Sequence, residues 1–478
     1  MKNLCVSLLL IGLVAPVFAK GTGKLSTNLS SNLSSDAKNI INIWLDAQLA
    51  YEKIPYLSAS YVSDQHTAWQ GTFGHVDQQK SFAATENSIA SVCSITKVFT
   101  ATAVMKLVDE RKLSLDDKLS DILPQFTIQG MSIDDITIRT LLTHTSGLPR
   151  DTKHAYWSGP SHDFPAEDEF YQSVARQTRL ANADTKVQYS NIGYALLGLI
   201  VESVSNRSYK HYIESEIFKP LGMGSSIIEM PETLYGNKHV IGYSALNRNG
   251  ERSPANFYQT QVMQAVAGMS SNASDLAKFA SWHFRAAEAE KADVVGAETL
   301  NTMYKLGQHD VETNRGIGFI IQEDKKGNVW AMHGGVCPGY TSFFKMNVTG
   351  KEAFSFVVSA NRVKALAYIN NLQEIIARAS QISQQEPVNI DLTQYEGFYD
   401  LHPWNSEYYV GKWGNELVLL YLPVDSIKYA MYHYRYSGKD TFQRVEEGKL
   451  TQEKIVFHRD KDGKVMSILN EGGIHKRR

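Results

Sequence analysis

Three short motifs in this chain could together carry out nucleophilic chemistry: Ser94-Ile95-Thr96-Lys97, Tyr189-Ser190-Asn191 and His333-Gly334-Gly335. Ser94 and Lys97 open a run whose apolar residues recur at helical spacing, which predicts a buried helix. Residues three apart on a helix share a face, so the Lys97 ammonium can reach the Ser94 hydroxyl. A serine hydroxyl is a weak nucleophile near neutral pH and needs a neighbouring base of this kind.

Other segments match the first two motifs in less suitable contexts. One further serine–lysine pair lies in a polar segment near the N-terminus, and another lies among aromatic residues typical of a strand. Only the Ser94 pair opens an apolar helix. The competing matches are Ser35 with Lys38, Ser342 with Lys345, Tyr235 with Asn237, and Tyr368 with Asn370.

The protonation states of Lys97 and Tyr189 are expected to depend on each other. Lys97 can act as a base only if its pKa is lowered, which burial at a helix N-terminus would promote. Tyr189 needs a nearby ammonium to favour its phenolate. The residues therefore predict a coupled Ser94–Lys97–Tyr189 proton network, in which no single base is assigned. Ser94, at the start of its helix, would also turn its backbone N–H outward toward an oxyanion.

The third motif is expected to end a strand that lines the site. Gly334 and Gly335 would let a substrate backbone approach closely, because a side chain there would block it. The N–H of Val336, directly after them, is the natural second donor to an oxyanion. An unperturbed imidazole has a pKa of about 6.5, so the sequence leaves both alternatives for His333, a charged and a neutral imidazole.

Composition and missing motifs exclude several classes of function. The chain of 478 residues has 48 Lys and Arg against 50 Asp and Glu, well interspersed, so nothing indicates a nucleic-acid partner. It contains no G-x-S-x-G, no H-E-x-x-H and no cysteine pair at zinc spacing. We therefore expect no metal and no cofactor, and we expect His144 to be a structural histidine.

The N-terminus has the pattern of a secretory signal. Lys2 precedes an apolar run over residues 4–14, and Val17-Phe18-Ala19 forms a small-residue cleavage site. The run is too short for a stable membrane span. We expect residues 1–19 to be a signal peptide and the mature protein to be periplasmic or secreted, with a retained N-terminal anchor as the alternative. Residues 20–36 are rich in Ser, Asn, Gly and Thr and predict a flexible linker.

The remaining chain suits two domains. Residues 37–385 predict an α+β domain with an antiparallel sheet flanked by helices, an all-helical insert, and outermost strands from distant parts of the chain. Residues 386–478 consist of short aromatic and β-branched runs broken by turn signals, which predicts a small antiparallel β-barrel. The predicted elements are a helix from an N-cap at Asp36, strands over 58–62, 67–73, 316–322, 329–333, 341–347 and 354–360, and a helix over 365–382.

Further segments carry a resemblance to a known family: Leu141–Pro149 (LLTHTSGLP), Lys219–Met223 (KPLGM), Ala267–Ser271 (AGMSS) and Asp275-Leu276. With the three motifs in the same order, they resemble the serine β-lactamase and penicillin-recognising hydrolase family. The closer likeness is to its branch of class C β-lactamases, DD-peptidases, D-aminopeptidases and esterases, over roughly residues 40–380. The C-terminal segment resembles the lipocalin-like domain attached to some of these hydrolases.

The resemblance implies roles for individual residues. It favours Tyr189 as the base with Lys97 supporting it, and it implies that Asn191 holds the substrate's amide carbonyl and helps to fix Lys97. Many relatives have Lys at the position of His333, where it recognises a substrate carboxylate. His333 is found in some DD-peptidases and D-aminopeptidase-like members, and it puts efficient β-lactam hydrolysis in doubt.

The resemblance predicts an exported serine hydrolase that acts through an acyl-enzyme on Ser94, with a peptide, amide or ester as its small-molecule or peptide substrate. Peptidoglycan-type or D-amino-acid peptides suit the predicted compartment. The alternatives are a class C-like β-lactamase, a carboxylesterase, and a penicillin-binding sensor that acylates without turnover. The C-terminal domain is expected to pack against or shield the catalytic domain.

A disulfide between Cys93 and Cys337 is also expected. Loss of the signal leaves only these two cysteines, in a compartment where disulfides persist. Some carbapenem-hydrolysing class A β-lactamases bridge the same two motif-relative positions. If Ser94 and Val336 serve one oxyanion, their neighbours must lie close together. Two buried free thiols are the alternative.

Overall fold

The computed structural model describes residues 33–130, 132–289, 293–305, 314–382, 385 and 387–478. The predicted signal peptide and nearly all of the predicted linker lie outside these residues. Within the described ranges, no helix is both long enough and apolar enough to cross a membrane.

Two sheets and many helices make up the larger part of the chain. Its strands are β1 (Tyr56–Ser63), β2 (His66–Gly74), β3 (Ala90–Ser91), β4 (Ile227–Ile228), β5 (Met269–Ser271), β6 (Ile320–Glu323), β7 (Val329–Cys337), β8 (Tyr340–Asn347) and β9 (Glu352–Val358). Its helices are α1 (Ser35–Glu52), α2 (Thr96–Asp109), α3 (Leu119–Ile122), α4 (Ile138–Leu142), α5 (Glu167–Ala175), α6 (Asn191–Ser205), α7 (Tyr209–Ile213), α8 (Gln264–Ala267), α9 (Ala273–Ala286), α10 (Ala297–Tyr304) and α11 (Ala365–Ala379).

The main sheet is antiparallel throughout, with strand order β2-β1-β9-β8-β7-β6. Its two edges come from residues 66–74 and 320–323, on either side of the largely helical segment between them. This confirms the predicted α+β architecture. A small second sheet, in the order β3-β5-β4, lies beside the start of α2.

Helix α1 begins earlier than its predicted cap. The Ser34 hydroxyl accepts the Ala37 N–H at 3.2 Å and is the N-cap, so the prediction of Asp36 was wrong. Asp36 instead accepts the N–H of Gly414 in the C-terminal domain at 2.8 Å. The buried face of α1, which includes Trp44, packs in one core with α11 and the outer face of the barrel.

Two predicted strands also differ from the structure. The strand predicted over 316–322 begins only at Ile320, because the preceding turn packs against α2. Gly318 there has φ +78°, and a Cβ would lie 2.6 Å from Cβ of Ala101. The strand expected to end at His333 continues to Cys337, so the His-Gly-Gly motif lies inside β7 rather than at its end.

The C-terminal segment forms an eight-stranded antiparallel sheet that curls into a barrel, as predicted. Its first and last strands meet where Tyr399 bridges Arg477 and where the Arg478 N–H donates to the Phe398 carbonyl at 2.9 Å. Aromatic side chains fill the interior. The predicted domain boundary at residue 386 stays a prediction. The elements are β10 (Gly397–Asp400), β11 (Glu407–Trp413), β12 (Glu416–Leu422), α12 (Ile427–Ala430), β13 (Met431–Gly438), β14 (Thr441–Glu446), β15 (Lys449–Arg459), β16 (Val465–Asn470) and β17 (Gly473–Lys476).

Candidate active site

Ser94 lies in a 3₁₀ turn, Cys93–Ile95, that leads directly into α2. Cys93 has φ +52°, and its carbonyl accepts the Thr96 hydroxyl at 2.7 Å, which fixes the turn. The Ser94 N–H donates to no acceptor among the described residues. This turn therefore leaves both the hydroxyl and the N–H of Ser94 available at the N-terminal end of a buried helix.

Lys97 is buried one helical turn after Ser94. Its Nζ donates to the Ser94 Oγ at 3.3 Å and to the Val266 carbonyl at 3.1 Å. Burial lowers the pKa of Lys97, and the Tyr189 phenol and the Asp151 carboxylate only partly oppose this. Lys97 is thus held against Ser94 in a state that gives up its proton more readily than a solvated lysine.

Tyr189 lies just before α6 and closes the same cluster. Its ring centroid is 5.2 Å from the Lys97 Nζ, 4.9 Å from the Arg150 guanidinium and 5.6 Å from the Arg315 guanidinium. Burial alone would raise the pKa of Tyr189. The Lys97 charge, hydrogen bonding from Ser94 and Lys97, and the Arg150 charge outweigh burial and lower it. The structure thus brings Ser94, Lys97 and Tyr189 together in one cluster, and the exchange of protons among them stays a prediction.

His144 supports Tyr189 from the Leu141–Pro149 segment. The two ring centroids are 4.3 Å apart, and the His144 Nδ1 accepts the Ser190 N–H at 3.1 Å. Burial, with the Arg315 and Lys97 charges, holds the pKa of His144 well below its usual range. A neutral His144 that orients the Tyr189 segment agrees with the structural role predicted for it.

Asn191 is the first residue of α6 and lies beside Asp151. Its Nδ2 donates to the Asp151 Oδ1 at 2.7 Å, and its backbone N–H donates to the Arg150 carbonyl at 2.7 Å. The Asn191 Oδ1 is buried and has no hydrogen-bond partner among the described residues. The expectation that Asn191 helps to fix Lys97 has no direct contact in its favour, and its role toward a substrate stays a prediction.

His333 faces the cluster from β7. Its Nδ1 donates to the Gly334 carbonyl at 2.8 Å, which leaves the Nε2 as an acceptor. Burial and the Lys97 charge lower the pKa of His333 to about 3, although the Gly334 bond opposes them. Of the two open alternatives, the structure favours a neutral imidazole, which has no charge to offer a substrate carboxylate.

Gly335 serves the protein's own packing. A Cβ at Gly335 would lie 3.1 Å from Cβ of Cys93 and would also meet the Val92 carbonyl and the Ser342 hydroxyl. The absence of a side chain at Gly335 thus makes room for the backbone that leads to Ser94, and the expected role of this glycine toward substrate stays a prediction. At Gly334, a Cβ would meet only the Phe343 ring, at 3.3 Å.

The predicted disulfide is present and joins the same two elements. Cys93 and Cys337 are bonded, with their Cα atoms 5.5 Å apart. Since side chains alternate along a strand, Cys337 shares the Gly335 face of β7, and the exposed side chain of Val336 points to the other face. Strand β6 pairs with β7 only as far as Met332. From His333 onward, the edge of β7 on the β6 side therefore has no strand partner among the described residues. The oxyanion role of the Val336 N–H stays a prediction.

The competing match at Ser342 and Lys345 does not assemble a site. Ser342 donates to the Val92 carbonyl at 2.7 Å, whereas Lys345 donates to Gln373 at 2.9 Å, on the opposite face of β8. Residues three apart on a strand point in opposite directions, so Ser342 and Lys345 cannot cooperate.

Three charged residues of the cluster were missed from the sequence: Arg150, Asp151 and Arg315. Arg150 and Asp151 directly follow the Leu141–Pro149 segment, and that position was the one available signal. Arg315 lies far along the chain in the turn before β6, and only the fold brings it near Tyr189. Among the described residues, no group of three or more His, Cys, Asp or Glu is arranged to hold a metal ion.

Comparison with known sequences gives a family match over most of the chain. The family profile described as Beta-lactamase matches residues 44–377. Protein flp of Staphylococcus aureus is 26% identical over 347 residues, which cover 69% of this chain and 64% of that protein. Penicillin-binding protein 4 of Amycolatopsis lactamdurans is 31% identical over 202 residues, which cover 42% of this chain and 52% of that protein. The chain thus spans less than two thirds of the length of these curated relatives.

Solved structures share the fold at low sequence identity. An octameric penicillin-binding protein homologue from Pyrococcus abyssi has a TM-score of 0.62 at 22% identity, covering 92% of this chain and 99% of that chain. A D-stereospecific amidohydrolase from Streptomyces sp. has a TM-score of 0.57 at 22% identity, covering 72% and 98%. A class C β-lactamase has a TM-score of 0.59 at 19% identity, covering 74% and 98%. Given the family match over residues 44–377, this chain belongs to the β-lactamase family of the serine hydrolase superfamily.

Proposed function

We propose that this protein is an exported serine hydrolase that forms an acyl-enzyme on Ser94. Peptides and amides are its substrates, and D-amino-acid or peptidoglycan-type peptides are favoured. The observation that carries the proposal is the Lys97 Nζ, 3.3 Å from the Ser94 Oγ and beside a phenol of lowered pKa. Lowered pKa values at a nucleophile are typical of catalytic sites.

The reaction follows from the positions of these groups. The Ser94 Oγ attacks the substrate carbonyl carbon, and its proton passes to the Lys97–Tyr189 pair. The N–H groups of Ser94 and Val336 stabilise the tetrahedral oxyanion. The pair then returns the proton to the leaving amine, which departs and leaves an ester on Ser94. Water, deprotonated by the same pair, hydrolyses this ester and restores the free serine.

Substrate class and location rest on indirect support. A neutral His333 does not supply a cation for a substrate carboxylate, which argues against β-lactams and equally against peptides with a free carboxylate at that position, and favours amides without one. The fold is also that of a D-stereospecific amidohydrolase and of penicillin-binding proteins. The Cys93–Cys337 disulfide supports an oxidising compartment, in agreement with the predicted signal peptide.

A labelling and turnover experiment tests the proposal. The protein is treated with a fluorophosphonate and the adduct is mapped by peptide mass spectrometry. Turnover is then compared on D-alanine p-nitroanilide, p-nitrophenyl acetate and nitrocefin. We expect the label on Ser94, loss of labelling in Ser94→Ala, unchanged labelling in the exposed control Ser35→Ala, and the largest rate acceleration over uncatalysed hydrolysis on the anilide.

Each other outcome has a defined meaning. A label on another serine, or none, would end the proposed mechanism. The largest acceleration over uncatalysed hydrolysis on nitrocefin would make the protein a β-lactamase, and the largest acceleration on the acetate would make it a carboxylesterase. Stoichiometric acylation by a β-lactam with no turnover of any probe would leave the penicillin-binding sensor.

A further inference from the structure

Asp151 is tied to the candidate site by several hydrogen bonds that converge on one oxygen. Its Oδ1 accepts from the Asn191 Nδ2 at 2.7 Å, the Tyr156 hydroxyl at 2.7 Å and the Trp157 Nε1 at 3.1 Å. Its Oδ2 lies 3.5 Å from the Arg150 Nε, and 22% of the side chain is exposed. Asp151 is therefore held by three neighbours, Tyr156, Trp157 and Arg150, in addition to Asn191.

A carboxylate sets the orientation of the amide that faces it. An ionised Asp accepts hydrogen bonds only, whereas an Asn amide has one end that donates and one that accepts. At 2.7 Å from Asp151, the Asn191 atom in contact must be the nitrogen, since two oxygens would repel. The Asn191 Oδ1 is consequently turned away from Asp151, where it is buried and without a partner among the described residues.

A buried carbonyl oxygen without a donor costs free energy, so a donor is expected during the reaction. In the resting site the three N–H groups of Lys97 meet Ser94, the Val266 carbonyl and Tyr189. Once Ser94 is acylated, its Oγ is an ester oxygen and a weaker acceptor for the Lys97 Nζ. One N–H of Lys97 then becomes available to another acceptor. An N–H group of the substrate is the other candidate donor to the Asn191 Oδ1.

We infer that Asp151 is a positioning residue, which fixes the Asn191 amide so that Asn191 offers its Oδ1 to an N–H donor in the working site. This inference rests on the proposed function, because it assigns Asp151 a part in the same reaction. Apart from its bond to Asn191, Asp151 acts on the cluster through its charge, which raises the pKa of Lys97.

The first test uses the variants Asp151→Asn, Asn191→Ala and the double variant, with kcat and KM measured on D-alanine p-nitroanilide and p-nitrophenyl acetate. We expect Asp151→Asn to lower kcat/KM by roughly tenfold, since a charge-assisted hydrogen bond becomes a neutral one and the Asn191 amide is free to rotate by half a turn. In the Asn191→Ala background the same change should cost less than about twofold, because coupled residues are not additive. Equal losses in both backgrounds, or no loss in either, would overturn the inference.

The two substrates distinguish the source of the donor. A loss confined to the anilide, which has an N–H that the acetate lacks, would identify the substrate as the donor. Equal losses in kcat on both substrates would identify Lys97. Either result supports the positioning role.

A charge swap provides a second test. Asn191→Asp sets two carboxylates against each other and should lower kcat/KM by roughly 100-fold or more. Adding Asp151→Asn restores a donor facing an acceptor and should recover at least about tenfold of that loss. No recovery would contradict the inference.

Tyr156→Phe is the matched control, since it removes another donor to the Asp151 Oδ1 and leaves the bond to Asn191. We expect its kcat/KM within about threefold of wild type. A loss equal to that of Asp151→Asn would reduce Asp151 to a structural residue. Fluorophosphonate labelling of Ser94 separates the two proposals: an unlabelled wild-type protein defeats the proposed function, whereas a labelled, active wild type with a fully active Asp151→Asn defeats only this inference.

Discussion

The catalytic cleft and the C-terminal barrel both bury tyrosines, and their phenols have opposite properties. In the barrel, burial raises the pKa of Tyr399 to about 12 even though Arg477 opposes it, and it raises the pKa of Tyr408 further. In the cleft, Tyr189 is half-buried, and its pKa is lowered although the loss of surrounding water opposes this. The difference lies in the neighbours, since Lys97 and two guanidinium groups surround the Tyr189 ring.

This difference shows what separates a reactive phenol from a packing residue. Removing water from a phenol disfavours its phenolate in both regions. In the cleft, the fold brings three positive charges onto the Tyr189 ring, from α2, from the segment after the Leu141–Pro149 motif and from the turn before β6. A buried tyrosine in this protein is therefore a candidate acid or base only where cations accompany it.

The largest expected effect comes from removing the Lys97 charge. In Lys97→Met, Tyr189 would be left in a buried site without its nearest cation, and its pKa should rise toward those of the barrel tyrosines. We expect kcat/KM to fall by roughly 10³-fold or more, and a Lys97→Met, Tyr189→Phe double variant to be hardly worse than either single variant. Steady-state kinetics and ultraviolet titration of the phenolate band provide the measurements.

Lys106→Met, on the same helix, is the control for this prediction. Lys106 pairs with Glu110 at 3.0 Å, away from Tyr189, so its loss should leave activity within about twofold. If Lys97→Met retained more than a tenth of the wild-type activity, the charge of Lys97 would not be what sets Tyr189 apart.

A second prediction separates the two glycines of β7. Gly335→Ala places a methyl group against Cys93 and the Val92 carbonyl, which should push the Ser94 turn away from the strand. Because small displacements of reacting groups are costly, we expect roughly a 10- to 100-fold loss of kcat/KM. Gly334→Ala meets only the Phe343 ring and should lose less than about threefold. Equal losses would show that the close contact between Gly335 and the Ser94 turn is not what distinguishes the two glycines.

The sequence predicted the residues near Ser94 better than it predicted their neighbours. Helical spacing was enough to pair Ser94 with Lys97, because three residues along a helix fix a distance. The charges around Tyr189 and the face of β7 on which Gly335 lies depend on long-range packing. The approach of Arg315 to Tyr189 and the contact between Gly335 and the Ser94 turn could therefore not be predicted from spacing. The end of β7 was misplaced for the same reason, since glycines weaken the local strand signal while pairing with β8 continues to Cys337.

A third prediction concerns Arg150, whose charge lowers the pKa of both Tyr189 and Lys97. In Arg150→Gln both pKa values should rise, so the acid limb of kcat/KM against pH should move to higher pH. The Arg150 side chain is 65% exposed, so solvent screens its charge. We therefore expect kcat/KM on the acid side of the profile to fall by only roughly threefold at low salt. The difference from wild type should shrink in high salt. A loss that salt does not change would indicate direct contact with substrate instead.

A fourth prediction is the absence of a pH effect at His333. Its pKa of about 3 lies below the unperturbed value, so the imidazole stays neutral from pH 5 to 8. KM for a carboxylate-bearing substrate should then change over this range by less than about twofold relative to a matched uncharged ester. A KM that rises with pH for the carboxylate alone would show that a charged His333 grips it.

The smallest effect is expected for Tyr408→Phe in the barrel, where activity should not change. The Tyr408 Oη is buried without a partner among the described residues, so its removal should raise the free energy of unfolding by up to about 1 kcal/mol. Tyr399→Phe is the matched variant: its Oη donates to the Tyr395 carbonyl at 2.9 Å, and its loss should cost about 1 kcal/mol.

The same pair of variants tests the alkaline side of the comparison. Burial raises the folded-state pKa of Tyr408 above the unfolded value of about 10, so its contribution to stability is complete below pH 10 and is lost as the pH rises. Above pH 10 the unfolded state releases a proton that the folded state keeps, and the free energy of unfolding falls by about 1.4 kcal/mol per pH unit for each such tyrosine. Urea unfolding at pH 9 and pH 11 should therefore show a smaller decline in Tyr408→Phe than in wild type. An identical decline would mean that Tyr408 ionises in the folded barrel as freely as in water, and the contrast with Tyr189 would disappear.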